Sequence, residues 1–591
     1  MKYRMVLDMK QCMWSILLLL LLFAPPAIAA DGQALVAGHP PEEALRLGEA
    51  MFLQGVLPSG KPMRAVVRGG VEMTGKMAAC SSCHRRSGMG TLEEEVVMPP
   101  PALGMSIDPN ADADAMAMRF TPPISGAKLY APTRGAEDIP GSAMKHLMLS
   151  MSQTLVRPAY TDQSLANALL RGIGPTGRKL RDAMPRYLLD EDATKIMVFY
   201  LKNLSSRFSA GATREEIRFA TIVADGVSPG DKDAMLLPLK AFIREEWNER
   251  NARLSAYNKK LAGRKSYPKA SLDVWELKGP PGTWGSQLEE YYRQNPVFAI
   301  LGGITTGKWA PVHEFCEKNS IPCIFPITDL PLVSGTDWYT LYFSKGFYQE
   351  GETAAKYLAR IVKLPPVKRI VQVFRDNDEG SALARGFEDT WKKIGTSSIT
   401  NKTVAASEKI GVNFWKDLAA ANPGAVMLVW LGPADLVGIE ALAEQGKKQS
   451  MLFVSATMLA GTLTVIPDKV RDFTFITYPT RLPGDEVYTR SIVTNWMKMK
   501  KIPLTNVEIS AKVFLFTRLL SSVLLDMGED YYRDFFLDVI DESVNEAKNS
   551  ATYPMLSLGT GQRYVAKGCY VVKLSKGEKP KVARQSDWII Y

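Results

Sequence analysis

From Glu216 onward, short near-continuous apolar runs alternate with stretches of helical periodicity, and this pattern narrows the fold more than any other property of the chain. The strand-like runs are IRFATIVA, PVFAILGG, IPCIFPIT, RIVQVFRD, AVMLVWLG, MLFVSA and FTFITYP. Between them lie AMLLPLKAFIREEWNERNARL, YQEGETAAKYLARIV, SALARGFEDTWKKIG and PADLVGIEALAEQG, which read as helices. A strand that is apolar on both faces has to be covered on both faces, and a helix between successive strands supplies the crossover that parallel pairing needs. The pattern therefore predicts α/β architecture with parallel sheets covered on both faces. Residues 1–215 do not share it.

The first 29 residues form a segment of another kind. Lys2, Arg4 and Lys10 precede an apolar run from Trp14 to Ala24, and Ala27 and Ala29 follow at A-x-A spacing. That is the layout of a secretory signal peptide, with an uncleaved anchor as its rival. Beyond it no apolar run approaches the roughly 18 residues of a membrane span, so no stable membrane insertion is expected after cleavage. The net charge of +10 is spread among acids, as in IREEWNERNARL, which reads as a solvated surface and not as a nucleic-acid stripe. An acidic redox partner is compatible with that charge.

Within MAACSSCHRRSGMG, Cys80, Cys83 and His84 form a C-x-x-C-H run. Two thiols on one short turn can add to the two vinyl groups of a haem, and the imidazole directly after them can ligate the iron. A zinc knuckle or a structural disulfide is the alternative. Zinc would need two more Cys or His ligands at similar spacing, and the chain has only His39, His84, His146 and His313. The expected cofactor is one covalent haem c.

The flanks extend the pattern. PEEALRLGEAMFLQG places Leu45, Gly48 and Phe52 on one helical face, and DEDATKIMVFYLKNLS places Met197, Tyr200, Leu201 and Leu204 at i, i+3, i+4 and i+7. A Met-Pro pair, Met184-Pro185, precedes the second helix. Over about residues 41–207 the chain resembles class I c-type cytochromes, which are all-α. The resemblance makes His84 the proximal ligand and Met184 the sixth; Met98, which also precedes a proline, a histidine or an open site are the alternatives. It makes PPPALG the loop covering the haem edge and leaves 106–160 as an insertion of unassigned role. A His/Met pair fills both axial positions, which implies electron transfer and not substrate chemistry at the iron.

SSRFSAGATREE (205–216) is small and polar, and 208–215 reads as a linker. Past it, FAILGGITTGKWAPVHEFCEKNSIPCIFPITDLP, LYFSKGFYQEGETAAKYLA and RIVQVFRDNDEGSALARGFEDTWKKIG follow in an order similar to type I periplasmic binding proteins. The branched-chain amino-acid receptors of ABC transporters are the nearest group. The resemblance implies an α/β domain at 216–576 of two Rossmann-like lobes with parallel sheets, joined by crossover strands, with a small organic ligand in the interlobe cleft. It nominates Thr305 and Thr306 of GGITTG, Thr328 and Asp329 of PITDLP, Trp430 of LVWLG and Thr457 of FVSATM as ligand contacts. Thr457 stands where amino-acid receptors carry an acid for the ligand's ammonium group, which argues against an α-amino-acid ligand. The threonines could instead cap turns, and Trp430 could belong to the core. GGITTGKW also imitates a phosphate loop (Gly302, Gly307, Lys308) but lacks the hydroxyl residue after the lysine that would hold magnesium.

In an exported chain, Cys316 and Cys323 are expected to form a disulfide, two buried thiols being the alternative. Closing so short a loop stabilises by about 2–3 kcal/mol in the chain-entropy model. Cys569 has no evident partner. The sequence thus predicts a periplasmic monohaem cytochrome fused to a small-molecule-binding domain, exchanging electrons with a periplasmic redox partner. Its alternatives are a receptor feeding an ABC permease, with the haem domain accessory, and a redox or ligand sensor. No nucleophile–base arrangement points to an enzyme.

Overall fold

A computed structural model of the chain describes residues 35–92, 120–133, 157–253, 267–361, 369–444, 449–546, 550–559 and 561–590. The signal segment, Met98, PPPALG and much of the 106–160 insertion lie outside them. The chain divides into two compact units, the first ending at Arg207 and the second resuming at Phe208.

In the first unit the helix Pro41–Gln54 starts on a proline, carries Glu42 and Glu43 in its first turn, and ends on Gly55 at φ 67. The helix Glu191–Asn203 is capped by Asp190, whose carboxylate accepts from the Ala193 N–H at 2.8 Å. The two pack at Gly48, where a Cβ would lie 2.3 Å from Tyr200 Cβ, and the Phe52 and Tyr200 rings meet at 5.4 Å. Met51, Phe52, Leu165, Leu169, Ile196, Met197 and Leu201 form the core, to which the helix Asp162–Arg171 contributes. The resemblance implied an all-α domain, but the unit is not purely helical. It also holds an antiparallel sheet in the order Glu72–Thr74, Arg64–Val66, Arg186–Tyr187. Gly69 and Gly70, at φ 81 and 76, let the chain reverse there.

The stretch 208–215, read as a linker, is tied into the second unit. Phe208 packs edge-on against Tyr531 at 5.9 Å, and the Ser209 N–H donates to the Tyr531 carbonyl at 3.1 Å. Gly211, at φ 82, lies so close to the Val297–Phe298 backbone that a Cβ would come within 2.2 Å of the Phe298 nitrogen.

That unit has two lobes. The first is a five-stranded parallel sheet in the order 340–341, 323–324, 299–301, 216–224, 269–277. The second has strands 399–404, 370–375, 426–430, 451–455 and 474–478 in parallel, extended by antiparallel 568–574 and 582–584. Three connections join the lobes: Tyr342 into the helix Phe347–Ile361, Tyr478 into the helix Val487–Met499, and the helix Arg533–Glu546 back to Gly568. Arg533 binds the first lobe's layers together. Its guanidinium donates to the carbonyls of Phe298 (2.9 Å), Val297 (2.6 Å), Asn319 (3.2 Å) and Ser320 (3.1 Å). In the second lobe, Phe347–Ile361 and Asp378–Ile394 cross at Gly351 and Gly386, where a Cβ on either would fall about 2 Å from the other helix's backbone. PADLVGIEALAEQG does not form the expected helix. Gly438, at φ 85 and pressed against Val412, splits it into 3-10 turns Pro433–Leu436 and Ile439–Ala443.

Cys316 and Cys323 are neighbouring buried thiols here, not the expected bridge. Burial pushes Cys316 well above the ordinary thiol range, which suppresses the thiolate through which oxidation proceeds. Non-reducing mass spectrometry of denatured protein should therefore find Cys316, Cys323 and Cys569 all alkylatable. A cross-linked Cys316–Cys323 peptide would contradict this reading.

Candidate functional site

Two places concentrate the nominated residues. In the first unit, Cys80 precedes the single helical turn Ser81–His84, so both thiols and the imidazole leave one turn of backbone. Cys80 is buried against the Tyr187 hydroxyl at 3.6 Å, and burial pushes its thiol up to about 11; Cys83 is exposed. His84 is buried, and its Nδ1 lies 2.9 Å from the Pro122 carbonyl oxygen. A carbonyl can only accept, so Nδ1 carries the proton and Nε2 keeps its lone pair. Burial holds the imidazole down to about 4, hence neutral near pH 7. A ring held by a carbonyl through one nitrogen, with the other left as a donor to metal, is the usual arrangement of an iron-ligating histidine. Among the described residues no three His, Cys, Asp or Glu side chains group as ligands of a metal ion.

Met184 is half-buried against the same core as Cys80 and Tyr187. Its loop is held by Arg186, whose guanidinium donates to the Met184 carbonyl and to those of Leu180 (3.0 Å) and Arg181 (3.3 Å). Arg186 in turn packs over Gly172, where no Cβ would fit. Neither Arg186 nor Pro122 stood out in the sequence: Pro122 acts on His84 from 38 positions away, and Arg186 acts on nearby backbone carbonyls, which leave no trace in residue type.

In the second unit the nominated residues fall at or just beyond the carboxyl ends of parallel strands, where α/β sheets bind ligands. Thr305 and Thr306 follow 299–301, Thr328 and Asp329 follow 323–324, Trp430 ends 426–430, and Thr457 follows 451–455. Their surroundings separate them. Thr305 Oγ1 accepts from the Gly307 N–H at 3.2 Å and Thr328 Oγ1 from the Leu330 N–H at 3.0 Å, so both shape turns. Thr306 and Asp329 are exposed. Trp430 is fully buried in the second lobe's core, with its indole N–H donating to Gln372 Oε1 at 3.0 Å, so it belongs to the core and not to the cleft surface. The hydroxyl of Thr457 bonds the carboxyl of Glu350.

Three features of the cleft went unread in the sequence. Lys308, the lysine of the phosphate-loop imitation, reaches across to Asp378 at the start of the second lobe's helix Asp378–Ile394, at 2.6 Å. Arg375 makes a two-pronged pair with Asp435 (3.0 and 2.6 Å) and also holds the carbonyls of Ala405 and Glu408, fixing three second-lobe loops. Glu350 places a carboxyl inside the domain. Its signal was present, since in FYQEGETAAKYL an acid occupies the face that Phe347, Gly351, Ala354 and Leu358 bury.

Residues 251–520 match the protein family described as periplasmic binding protein. Solved structures similar to the chain include a leucine-binding protein from Thermotoga maritima, at 12% identity over 63% of this chain and 99% of that one, TM-score 0.41. A solute-binding protein from R. palustris in complex with benzoate has 12% identity over 64% and 98%, TM-score 0.40. A branched-chain amino-acid transporter protein from Thermus thermophilus with bound valine has 10% identity over 64% and 97%, TM-score 0.42. Among the curated proteins nothing matches.

Proposed function

We propose, from the premise that the second unit holds a two-lobed periplasmic binding protein module, that the chain is a periplasmic solute receptor of ABC-transporter type. Its amino-terminal unit carries one covalent haem c. The observation supporting the receptor reading is the set of strand-end loops that face each other across the lobes and meet at Lys308 and Asp378. The ligand is a small organic molecule. At position 457 a threonine, its hydroxyl bonded to the buried Glu350 carboxyl, stands where amino-acid receptors carry an acid facing the ligand, which favours a ligand without an α-ammonium group. Arg375 is committed to Asp435 and shapes the site without contacting the ligand.

The residues of the first unit fit a haem: Cys80 and Cys83 would hold it covalently, with His84 and Met184 as axial ligands. When bound, it would supply one-electron transfer to or from a periplasmic redox partner. His84 would be kept in its tautomer by Pro122, and Met184 in place by the Arg186 clamp. Met184→Ala is expected to remove the sulfur-to-iron charge-transfer band of the ferric protein and to open the reduced iron to carbon monoxide. Met98→Ala should do neither, and swapped results would move the ligand assignment to Met98.

The receptor reading is tested by a thermal-shift screen of small carboxylates and amino acids on the haem-loaded full chain. Calorimetry would follow for each hit. Saturable binding of a carboxylate lacking an α-ammonium group supports the reading. Micromolar binding of leucine-like amino acids would overturn the ligand class, and a screen with no hits would count against the receptor.

A further inference from the structure

Glu350, in the first turn of the helix Phe347–Ile361, is completely buried. Its Oε2 accepts from Thr477 Oγ1 at 2.7 Å, and the hydroxyls of Thr457 and Ser455 also bond the carboxyl. Its Oε1 is buried with no hydrogen-bond partner among the described residues. The place matters as much as the group. The first interlobe connection ends at Phe347, three residues before Glu350, and the second leaves from Tyr478, directly after Thr477. The third arrives at Gly568, whose carbonyl accepts from Gln349, and at Cys569, which faces Glu350. One carboxyl thus sits where all three connections enter or leave the second lobe.

The other groups around it do not neutralise it. Asp329, from the first lobe, acts on it with like charge, and Lys512 lies towards Asp329. Cys569 is kept a neutral thiol by burial. Lys345 pairs with Glu352 at 3.0 Å, and Tyr348 donates to Asp389 of the neighbouring helix at 3.0 Å, so both are engaged elsewhere. From the terminal strand Ile589–Ile590 the buried side chain is the apolar Ile589. A buried carboxylate with one bare oxygen is strongly disfavoured, whereas a buried carboxylic acid is not. Opening the lobes about these connections would admit water to Oε1 and remove the penalty.

We infer that Glu350 is a proton-linked hinge switch, with the closed lobes favoured by the neutral acid and opening favoured by the carboxylate. Burial, against the pull of the three hydroxyls, raises Glu350 to about 7. For an acid raised in the closed state, the contribution to closure is full below the ordinary glutamate value. It is lost as pH climbs from there to about 7. With an ordinary value near 4.5 in the open state, the open-to-closed ratio should rise about thirtyfold between pH 5.5 and 8.5. The effect on solute affinity rests on the receptor reading above, but the hinge motion can be measured without any solute.

Spin labels at Ser286→Cys in the first lobe and Lys416→Cys in the second, both exposed sites, report the interlobe distance of the haem-loaded full chain by pulsed electron–electron resonance. The unaltered hinge should gain a longer distance as pH rises from about 4.5 to about 7 and change little above that, and Glu350→Gln, a neutral mimic, should keep the short one throughout. Thr477→Val removes a donor that favours the carboxylate and should shift the transition to higher pH, which decides the matter if Glu350→Gln does not fold. A distance that ignores pH, a pH response that survives in Glu350→Gln, or a Thr477→Val transition that does not move would each overturn the switch. If the distance responds while no solute binds at any pH, the switch stands and the receptor reading falls.

Discussion

Replacing Cys80 and Cys83 together with alanine is expected to abolish covalent haem completely. Produced in a host that matures c-type cytochromes, the parent should keep one haem per chain through acid–acetone extraction, and the double variant none. The reason is geometric: both thiols leave the single turn Ser81–His84, and no other cysteine among the described residues of the first unit could replace either. Each single variant should retain one thioether and a haemochrome spectrum shifted by the remaining vinyl group. A double variant that keeps extraction-resistant haem would refute attachment at this motif.

The second large effect is structural. Arg533→Met should destabilise the second unit by about 4 kcal/mol, because the buried carbonyls of Val297 and Phe298 and the part-buried ones of Asn319 and Ser320 all lose a donor at once. The expected fall in its thermal midpoint is about 5 °C. Arg533→Lys should recover only part of this, since an ammonium cannot span carbonyls at 297–298 and 319–320 as a planar fork does. Calorimetry would show it, and a shift of only one or two degrees would mean the clamp is dispensable.

The seven strand-like runs all became strands because central parallel strands are buried on both faces and must be apolar throughout. KASLDVWEL and ITNKTV escaped notice for the converse reason. They form the edges of their sheets, where polar residues face water and dilute the pattern. Chemistry confined to a few adjacent residues was equally legible, as with Cys80, Cys83 and His84. What could not be read were side chains whose role comes from distant neighbours. Pro122 matters only because the fold brings its carbonyl to His84, and Glu350 only because three connections converge on it. Trp430 shows the reverse: the resemblance nominated it as a ligand contact, but the side chain turns into the core, the alternative the sequence had left open.

The interleaving of the two lobes along the chain bears on how the protein is made. The second lobe's five parallel strands come from one uninterrupted stretch, 370–478, and can pair as soon as that stretch has emerged on the far side of the membrane. The first lobe cannot finish then. Arg533 must reach back more than 200 positions to Val297 and Phe298, so the sheet formed from 216–341 waits for a helix synthesised much later. Long-range closure of this kind is slow, and the half-built lobe exposes apolar surface while it waits. Folding should therefore be paced by the earlier-synthesised lobe, which is completed last, and that lobe is where a chaperone would have most to hold.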